Sequence, residues 1–153
     1  MRDFSADHRW LSLNTATVRK QGDLLAIIDA CARHDCALVF FDNVYAYGKV
    51  DGAMTERTPY NPCSRKGEVR ARIATMLLDE VAKGSLKAMI VRAADFYGPG
   101  ATLSLTHSTV TERLKAGKTP QWIGDARAFH SFTYTPDAAD SVARLGNRPE
   151  AYG

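Results

Sequence analysis

Two mainly apolar runs, each preceded by a segment with helical periodicity, constrain the fold of this chain most strongly. The runs are Ala37–Phe41 and Leu86–Val91, and their length is typical of strands covered on both faces in a parallel sheet. Apolar residues recur at helical spacing over Asp23–His34 and over Ser64–Lys83, where Gly84 provides a stop. Helix, buried strand, helix, buried strand is the order of elements in an α/β fold with right-handed crossovers. The sequence therefore predicts an α/β protein with a parallel sheet.

Both predicted strands are followed by segments rich in polar and turn-forming residues. Asp42–Pro62 follows the first strand, and Arg92–Gly100 follows the second. Ligands of parallel α/β sheets bind beyond the carboxyl ends of the strands, so we expect these two segments to face one crevice if the strands are neighbours. The remaining pattern predicts a helix over Ser108–Ala116 and short strands over Gln121–Ile123 and Ser131–Tyr134. It predicts a last helix over Pro136–Leu145.

The composition is typical of a soluble domain. The chain has 153 residues, of which 45% are hydrophobic and 24% charged, which is enough for one domain with its own core. The net charge of +3 is mild and no run of five basic residues occurs, so no nucleic-acid partner is predicted. No apolar run approaches the roughly 20 residues that span a bilayer, and the first residues lack the apolar centre of a signal peptide. No membrane partner is therefore predicted, and the cytoplasm is the expected location.

The cysteines and histidines show no metal-binding spacing, so no metal site is predicted. The cysteines are odd in number and lack Cys-x-x-Cys spacing, which favours buried thiols in a reducing compartment over a disulfide framework. The residues concerned are Cys31, Cys36 and Cys63, together with His8, His34, His107 and His130.

The stretch FDNVYAYGK places Tyr45 and Lys49 four residues apart, as in a catalytic Tyr-x-x-x-Lys pair. Residues four apart share a face in a helix, but this stretch lies in a predicted loop with Gly48 between the two. The sequence therefore favours a loop whose aromatic residues pack on the sheet and whose Lys49 is solvated.

Two cations lie within the apolar sector of the long predicted helix. At about 100° per residue, Lys66 and Arg70 fall among its apolar positions. Both lie near the helix N-terminus, where positive charge is unfavourable, so we expect a negative group to offset them. Either both side chains extend from the core edge into solvent, or the first turns border a cleft that binds a phosphate, a carboxylate or a cofactor ribose. The spacing does not distinguish the two.

Turn chemistry marks the segment after the second strand. In RAADFYGPG, Gly98 and Gly100 permit a tight bend that carries Asp95 toward the crevice. Near the end of the chain, the last helix is predicted to be capped around Thr135 or Asp137.

Five motifs occur in one order from about Asp23 onward. They are a strand ending in Tyr-Gly (Asn43–Gly48), a helix with a basic start (from Ser64), Arg-x-x-Asp-x-Tyr-Gly-Pro-Gly (Arg92–Gly100), Gly-Asp (Gly124, Asp125) and Phe-Thr-Tyr-Thr-Pro-Asp-Ala-Ala (Phe132–Ala139). In this order they resemble the NAD-dependent epimerase/dehydratase family, the extended short-chain dehydrogenases/reductases. The resemblance implies a partial Rossmann-like, doubly wound parallel sheet over residues 1–100 and a partial substrate-binding region over residues 101–153.

The resemblance also implies a function. Members bind NAD or NADP and transfer hydride, often with a nucleotide sugar or a related small hydroxy or carbonyl compound as substrate. They use a helix-borne Tyr-x-x-x-Lys and a strand-end Ser or Thr. Here Asn43 stands at the Ser/Thr position, and Lys66 and Arg70 stand at the Tyr and Lys positions, so these three are the candidate catalytic residues. The resemblance assigns cofactor binding to Asp42, Lys66, Arg70, Ala93 and Ala94, and substrate binding to Tyr45, Asp95 and Tyr97.

A phosphate-binding Gly-x-x-Gly-x-x-Gly, which the family carries after its first strand, does not occur in this sequence. We therefore expect the chain to be the C-terminal portion of a longer protein or a truncated frame, inactive alone. A homodimer is also a candidate assembly. Three hypotheses follow: part of an atypical NAD(P)-dependent epimerase, dehydratase or reductase; a catalytically silent NAD(P)-binding or sensor protein; and a non-functional fragment.

Overall fold

The computed structural model describes residues 24–153. Within these residues, four helices and four strands follow one another in an α/β order in which β2 and β3 are consecutive. They are α1 (Leu24–Arg33), β1 (Leu38–Asn43), α2 (Arg65–Ala82), β2 (Ala88–Ala93), β3 (Asp95–Tyr97), α3 (Glu112–Lys115), β4 (Phe132–Tyr134) and α4 (Thr135–Gly146). Single turns add a 3₁₀ segment at Tyr45–Tyr47, a π segment at His107–Thr111 and a 3₁₀ segment at Pro149–Ala151.

Both strand pairs are parallel. β1 pairs with β2 in a register that runs from Leu38 opposite Ala88 to Asn43 opposite Ala93. β3 pairs with β4, with Asp95 opposite Phe132. The predicted α/β class with parallel strands is therefore confirmed. Because β1 and β2 are neighbours, their carboxyl ends meet at one edge of the sheet, as the crevice prediction required.

The core lies between α1, α2 and one face of the β1–β2 sheet. Its buried members come from both helices and both strands, and they are Ile28, Leu38, Phe40, Leu77, Leu86 and Ala88. Alternate residues of β1 point into this core, which is the period-two pattern of a strand with one buried face. Phe41, on the other face, is 41% exposed and stacks on Phe96 at a centroid distance of 5.8 Å. The prediction that β1 is covered on both faces is therefore wrong at Phe41.

The buried side of α2 includes only some of the apolar residues that give the helix its periodicity. Gly67, Ala74 and Leu77 are buried, whereas Val69 and Leu78 are 49% and 44% exposed. Periodicity counted from apolar residues could not show that Gly67 faces the turn after β1, since glycine has no apolar side chain to count.

The bounds of the first elements agree with prediction to within about two residues. α2 begins after Ser64, whose Oγ accepts a hydrogen bond from the Gly67 N–H at 3.1 Å. Its end is followed by Gly84 at φ +73°, the left-handed conformation expected of a helix stop. β1 and β2 both extend two residues farther than predicted, because polar residues at their carboxyl ends pair across the ladder.

Three predictions in the C-terminal region are wrong. Residues 95–97 form β3 instead of a turn, because they pair with β4. Residues 121–123 form no strand. The N-cap of α4 is Tyr134, while the Thr135 hydroxyl donates to the Pro99 carbonyl at 2.7 Å, so neither Thr135 nor Asp137 caps this helix. The helix predicted at 108–116 is present as the π segment and α3.

None of the helices in residues 24–153 combines the length and the hydropathy of a membrane span.

Leu77 provides a test of the core. It has no exposed surface, so Leu77→Ala leaves a cavity and should lower the free energy of unfolding by about 2–5 kcal/mol. Leu78→Ala, next to it on the exposed side of α2, makes the same change in side-chain volume and should cost less than about 1 kcal/mol. Urea unfolding followed by circular dichroism measures both. Equal losses would contradict the assigned face of α2.

Candidate functional site at the carboxyl ends of β1 and β2

A tight turn follows β1 and is held by the last residue of the strand. The Asn43 side-chain oxygen accepts a hydrogen bond from the Tyr45 N–H at 2.9 Å, which starts the 3₁₀ turn Tyr45–Tyr47. Gly48 ends the turn at φ +67°, and a Cβ there would collide with the Asn61 carbonyl. Asn43 therefore shapes the turn with its side-chain oxygen.

A glycine in α2 lets the helix approach this turn closely. A Cβ on Gly67 would lie 2.5 Å from the Tyr45 carbonyl oxygen and 3.0 Å from the Pro62 Cβ. Only glycine permits that approach. As a result, Lys66 and Arg70, on either side of Gly67 in sequence, lie against the strand ends.

Lys66 lies over the ring of Tyr45. Its Nζ is 4.8 Å from the ring centroid, a cation–π distance. The cation beside Tyr45 thus comes from α2 and not from Lys49, in agreement with the interpretation that Tyr45 and Lys49 are not a catalytic pair.

Arg70 faces a buried carboxylate. Its Nη1 lies 3.3 Å from Asp42 Oδ1, and the Asp42 side chain has no exposed surface. The pair is within ion-pair distance, but Oδ1 receives no hydrogen bond of good direction. The Arg70 side chain is 34% exposed, so part of the guanidinium faces solvent. Asp42 is the negative group that we expected to offset Arg70.

A second arginine completes the cluster around Asp42. Arg92 Nη1 lies 2.9 Å from Asp42 Oδ2 and also donates to the Asn43 carbonyl at 2.9 Å. Arg92 Nη2 donates to the Tyr60 hydroxyl at 2.7 Å, and the guanidinium lies 5.0 and 5.1 Å from the ring centroids of Tyr47 and Tyr60. At 12% side-chain exposure, Arg92 is a structural partner of Asp42.

Sequence patterns did not identify Arg92, Tyr47 or Tyr60 as part of this site. The one signal that could have found Arg92 is the register, because Arg92 stands opposite Asp42 in the ladder. That register follows from strand pairing, which periodicity alone does not give.

The two predicted alanines follow Arg92 at the end of β2. Ala93 is 5% exposed and stands opposite Asn43. The Ala94 N–H donates to the Thr133 hydroxyl at 3.0 Å, which ties β2 to β4. Both lie at the strand end beside the turn, and their role beside a cofactor stays a prediction.

Asp95 and Tyr97, the predicted substrate residues of β3, lie among aromatic rings. Asp95 Oδ2 is 2.9 Å from His130 Nε2, and the His130 ring is 4.7 Å from that of Phe132. Tyr97 is 46% exposed and contacts the rings of Phe132 and Tyr134 at 6.4 and 5.3 Å. No sequence pattern singled out His130.

A cavity of about 770 Å³ opens beside Tyr97 and the YGPG turn. Its lining comprises Tyr97–Ala101, Ser104, Thr106, His107, Thr111, Lys115 and Phe132. The volume is in the range of small-molecule sites. The π segment supplies His107 and Thr111, and short π segments are frequent at functional sites. The predicted helix at 108–116 covers most of this wall, but its π turn was not predicted, since a π turn has no simple residue pattern.

Beside the cavity, the carboxylate of Glu112 lies between two bases of the cavity lining, His107 and Lys115. Glu112 Oε1 lies 3.1 Å from Lys115 Nζ and 3.3 Å from His107 Nε2. The hydrogen bond and the charge of Lys115 hold the pKa of Glu112 below its ordinary value, and His107 adds to the effect. In residues 24–153, no group of three His, Cys, Asp or Glu side chains is arranged to hold a metal ion.

The model of the NAD dependent epimerase/dehydratase family matches residues 5–152. The chain belongs to this family. The resemblance inferred from the order of the five motifs is therefore confirmed. The uncharacterised protein y4nL of Sinorhizobium fredii is 36% identical to this chain over 104 residues. That match covers 67% of this chain and 28% of y4nL.

Solved structures of epimerases and dehydratases share the fold of this family member. The match with UDP-N-acetylglucosamine 4-epimerase of Methanobrevibacter ruminantium covers 89% of this chain and 48% of the epimerase chain, at 18% identity and a TM-score of 0.70. The match with dTDP-glucose 4,6-dehydratase of Bacillus anthracis, solved with NAD, covers 82% of this chain and 41% of the dehydratase chain, at 20% identity and a TM-score of 0.73. The match with UDP-glucuronic acid 4-epimerase of Bacillus cereus, solved with UDP-glucuronic acid and NAD, covers 83% of this chain and 41% of that epimerase chain, at 20% identity and a TM-score of 0.72.

These matches confirm the Rossmann-type α/β fold. The chain spans less than half the length of each of these structures and about a quarter of y4nL.

Removing the buried carboxylate tests the cluster. Asp42→Ala leaves Arg92 buried without its anion and should lower the free energy of unfolding by about 3–5 kcal/mol. Asp29→Ala breaks an exposed ion pair with Arg33 and should cost less than about 1 kcal/mol. Urea unfolding compares the two variants. A small effect of Asp42→Ala would show that water reaches the cluster.

The cavity wall predicts a pH effect of known sign. The folded pKa of Glu112 is below its ordinary 4.5, so its ion pairs stabilise the fold above that pH, and the contribution is lost as the pH falls through the folded pKa. Lys115→Gln should raise the pKa of Glu112 toward 4.5, while Lys118→Gln should leave it unchanged. A carboxyl NMR titration measures this, and an unchanged pKa in Lys115→Gln would contradict the contact.

Proposed function

We propose that this chain forms the strand-end part of an NAD(P)-dependent epimerase, dehydratase or reductase that acts on a sugar nucleotide or a related small hydroxy or carbonyl compound. The observation that carries the proposal is the convergence of Asn43, Lys66 and Arg70 on the carboxyl ends of β1 and β2. Family membership supports the kind of chemistry, and the solved relatives with NAD support the cofactor.

The residues at the strand ends suit part of a dinucleotide. Arg70 is paired on one side with Asp42 and is exposed on the other, so it keeps donors for a ribose hydroxyl or a phosphate. Lys66 is exposed and supplies a second cation. Asp42 is buried, so we assign it the positioning of Arg70. Ala93 and Ala94 are small and allow close approach of a ligand to the end of β2. When bound, the nicotinamide would accept and return hydride.

The substrate side is the cavity next to Tyr97. Two of the solved relatives were determined with nucleotide sugars, UDP-N-acetylmuramic acid and UDP-glucuronic acid. Asp95 and the Tyr97 hydroxyl can bind sugar hydroxyls, while Lys115 supplies a cation and His107 an imidazole ring to an anionic group. Cytoplasmic location and a homodimer remain predictions.

The second candidate is a catalytically silent NAD(P)-binding or sensor protein. Lys66 stands where the family resemblance implies a tyrosine, which favours this candidate. The structure also brings a phenol to Lys66, since Tyr45 lies beneath its ammonium. If the protein turns over a nucleotide sugar and Tyr45→Phe abolishes that turnover, the enzyme is favoured. If no nucleotide sugar in a panel supports hydride exchange, the sensor is favoured.

Calorimetric titration with NAD and with NADP tests the cofactor site. We expect saturable binding that weakens about tenfold or more in Arg70→Ala, since a charged hydrogen bond contributes about 1.5–3 kcal/mol. Arg72→Ala removes the same charge from an exposed position of α2, away from the strand ends, and should leave affinity unchanged. Equal weakening in both variants would indicate a general charge effect, and no binding to either nucleotide would contradict the proposal.

A further inference from the structure

Two cysteines occupy linked positions at the end of α1. The Cys36 N–H donates to the Cys31 carbonyl at 2.9 Å, and the Asp35 N–H points to the Ala32 carbonyl at 3.5 Å. Asp35, between them, has φ +48° and is the one non-glycine residue with positive φ in residues 24–153. These bonds and the left-handed residue define a Schellman motif, in which the two positions held here by Cys31 and Cys36 bring their side chains into contact.

The backbone bond limits the separation of the two residues. The Cys31 carbonyl oxygen and the Cys36 amide nitrogen are 2.9 Å apart. With ordinary bond lengths, the Cα atoms of the two residues can then be no more than about 6.8 Å apart. Disulfides usually join Cα atoms that are about 4.4–6.8 Å apart. The helix end therefore holds the two residues within the span of a disulfide.

The surroundings of the two thiols differ. Cys31 packs against the core, and burial raises its pKa, with a further rise from the nearby Cys36. The Cys36 thiol lies 3.5 Å from the His34 carbonyl. Burial therefore disfavours the thiolate form of Cys31, and we assign the first attack to Cys36. Cys63, the third cysteine, is exposed just before α2.

We propose that Cys31 and Cys36 are a reversible disulfide site that reacts with low-molecular-weight disulfides such as oxidised glutathione. The Cys36 thiolate attacks one sulfur of glutathione disulfide and releases one glutathione thiolate, which takes up the proton. The Cys31 thiolate then attacks the Cys36 sulfur of the mixed disulfide and displaces the second glutathione. One dithiol is oxidised and one glutathione disulfide is reduced to two thiols.

The bond would clamp the junction of α1 and β1 at the amino end of the sheet. The candidate cofactor site lies at the opposite, carboxyl end, so oxidation of this pair acts independently of the proposed nucleotide binding. Asp35, whose backbone is in the left-handed region, lies within the clamped segment. Its side chain forms an ion pair with Lys87, which lies outside that segment.

Equilibration in glutathione buffers, followed by alkylation and mass spectrometry, tests the proposal on the whole chain. Trypsin cleaves after Arg33, so a Cys31–Cys36 bond joins the peptides 21–33 and 34–49. We expect to detect these two peptides joined by a disulfide, with a mass two hydrogens below the sum of the two reduced peptides. Cys63 should be the one thiol that is still alkylated. Because the folded helix end holds the thiols together, the equilibrium should favour the disulfide about tenfold more in buffer than in urea.

Variants separate this site from other oxidation. Cys63→Ser should oxidise as the parent does. Cys31→Ser should stop at a glutathione adduct on Cys36. Any of three results would overturn the proposal. They are disulfide-linked peptides that contain residue 63, full alkylation of Cys31 and Cys36 in oxidising buffer, and a thiol–disulfide equilibrium constant that is the same in buffer and in urea.

Discussion

The buried carboxylate of Asp42 is the constraint on which the strand-end region depends. It has no exposed surface, and an isolated charge in such a place is strongly unfavourable. The two arginines that neutralise it come from different elements, Arg70 from α2 and Arg92 from β2. One side chain therefore ties β1, β2 and α2 together where the strands end, and that is also where the family resemblance places the active site.

The same cluster gives the two arginines different roles. Arg92 uses its donors on Asp42, the Asn43 carbonyl and Tyr60, and rings cover its faces, so it has little capacity for a ligand. Arg70 makes one off-axis ion pair and stays about one-third exposed. A guanidinium that is held in place on one side and open on the other is suited to bind an anion, since little conformational freedom remains to be lost on binding.

The sequence predicts the parts of this fold that depend on local patterns. The apolar runs located β1 and β2, and the Ser64 cap and Gly84 located α2, each to within about two residues. It failed where structure depends on distant pairing. Residues 95–97 become a strand through β4, and Arg92 joins the site through its register with Asp42. Gly67 faces the turn after β1 because α2 approaches Tyr45 closely there, a requirement that no residue count reveals.

The position of Tyr45 shows why spacing is a weak guide to chemistry. Its Tyr-x-x-x-Lys spacing with Lys49 is that of residues sharing a helix face, but the stretch is predicted to be a loop, and Asn43 and Gly48 hold a 3₁₀ turn there. The turn directs Tyr45 toward α2, where Gly67 lets Lys66 come to 4.8 Å from its ring. A phenol and an ammonium meet at the strand end because two separate segments pack together. Their chemistry therefore depends on the glycine contact between the turn and α2, and a larger residue at position 67 would separate them without altering either group.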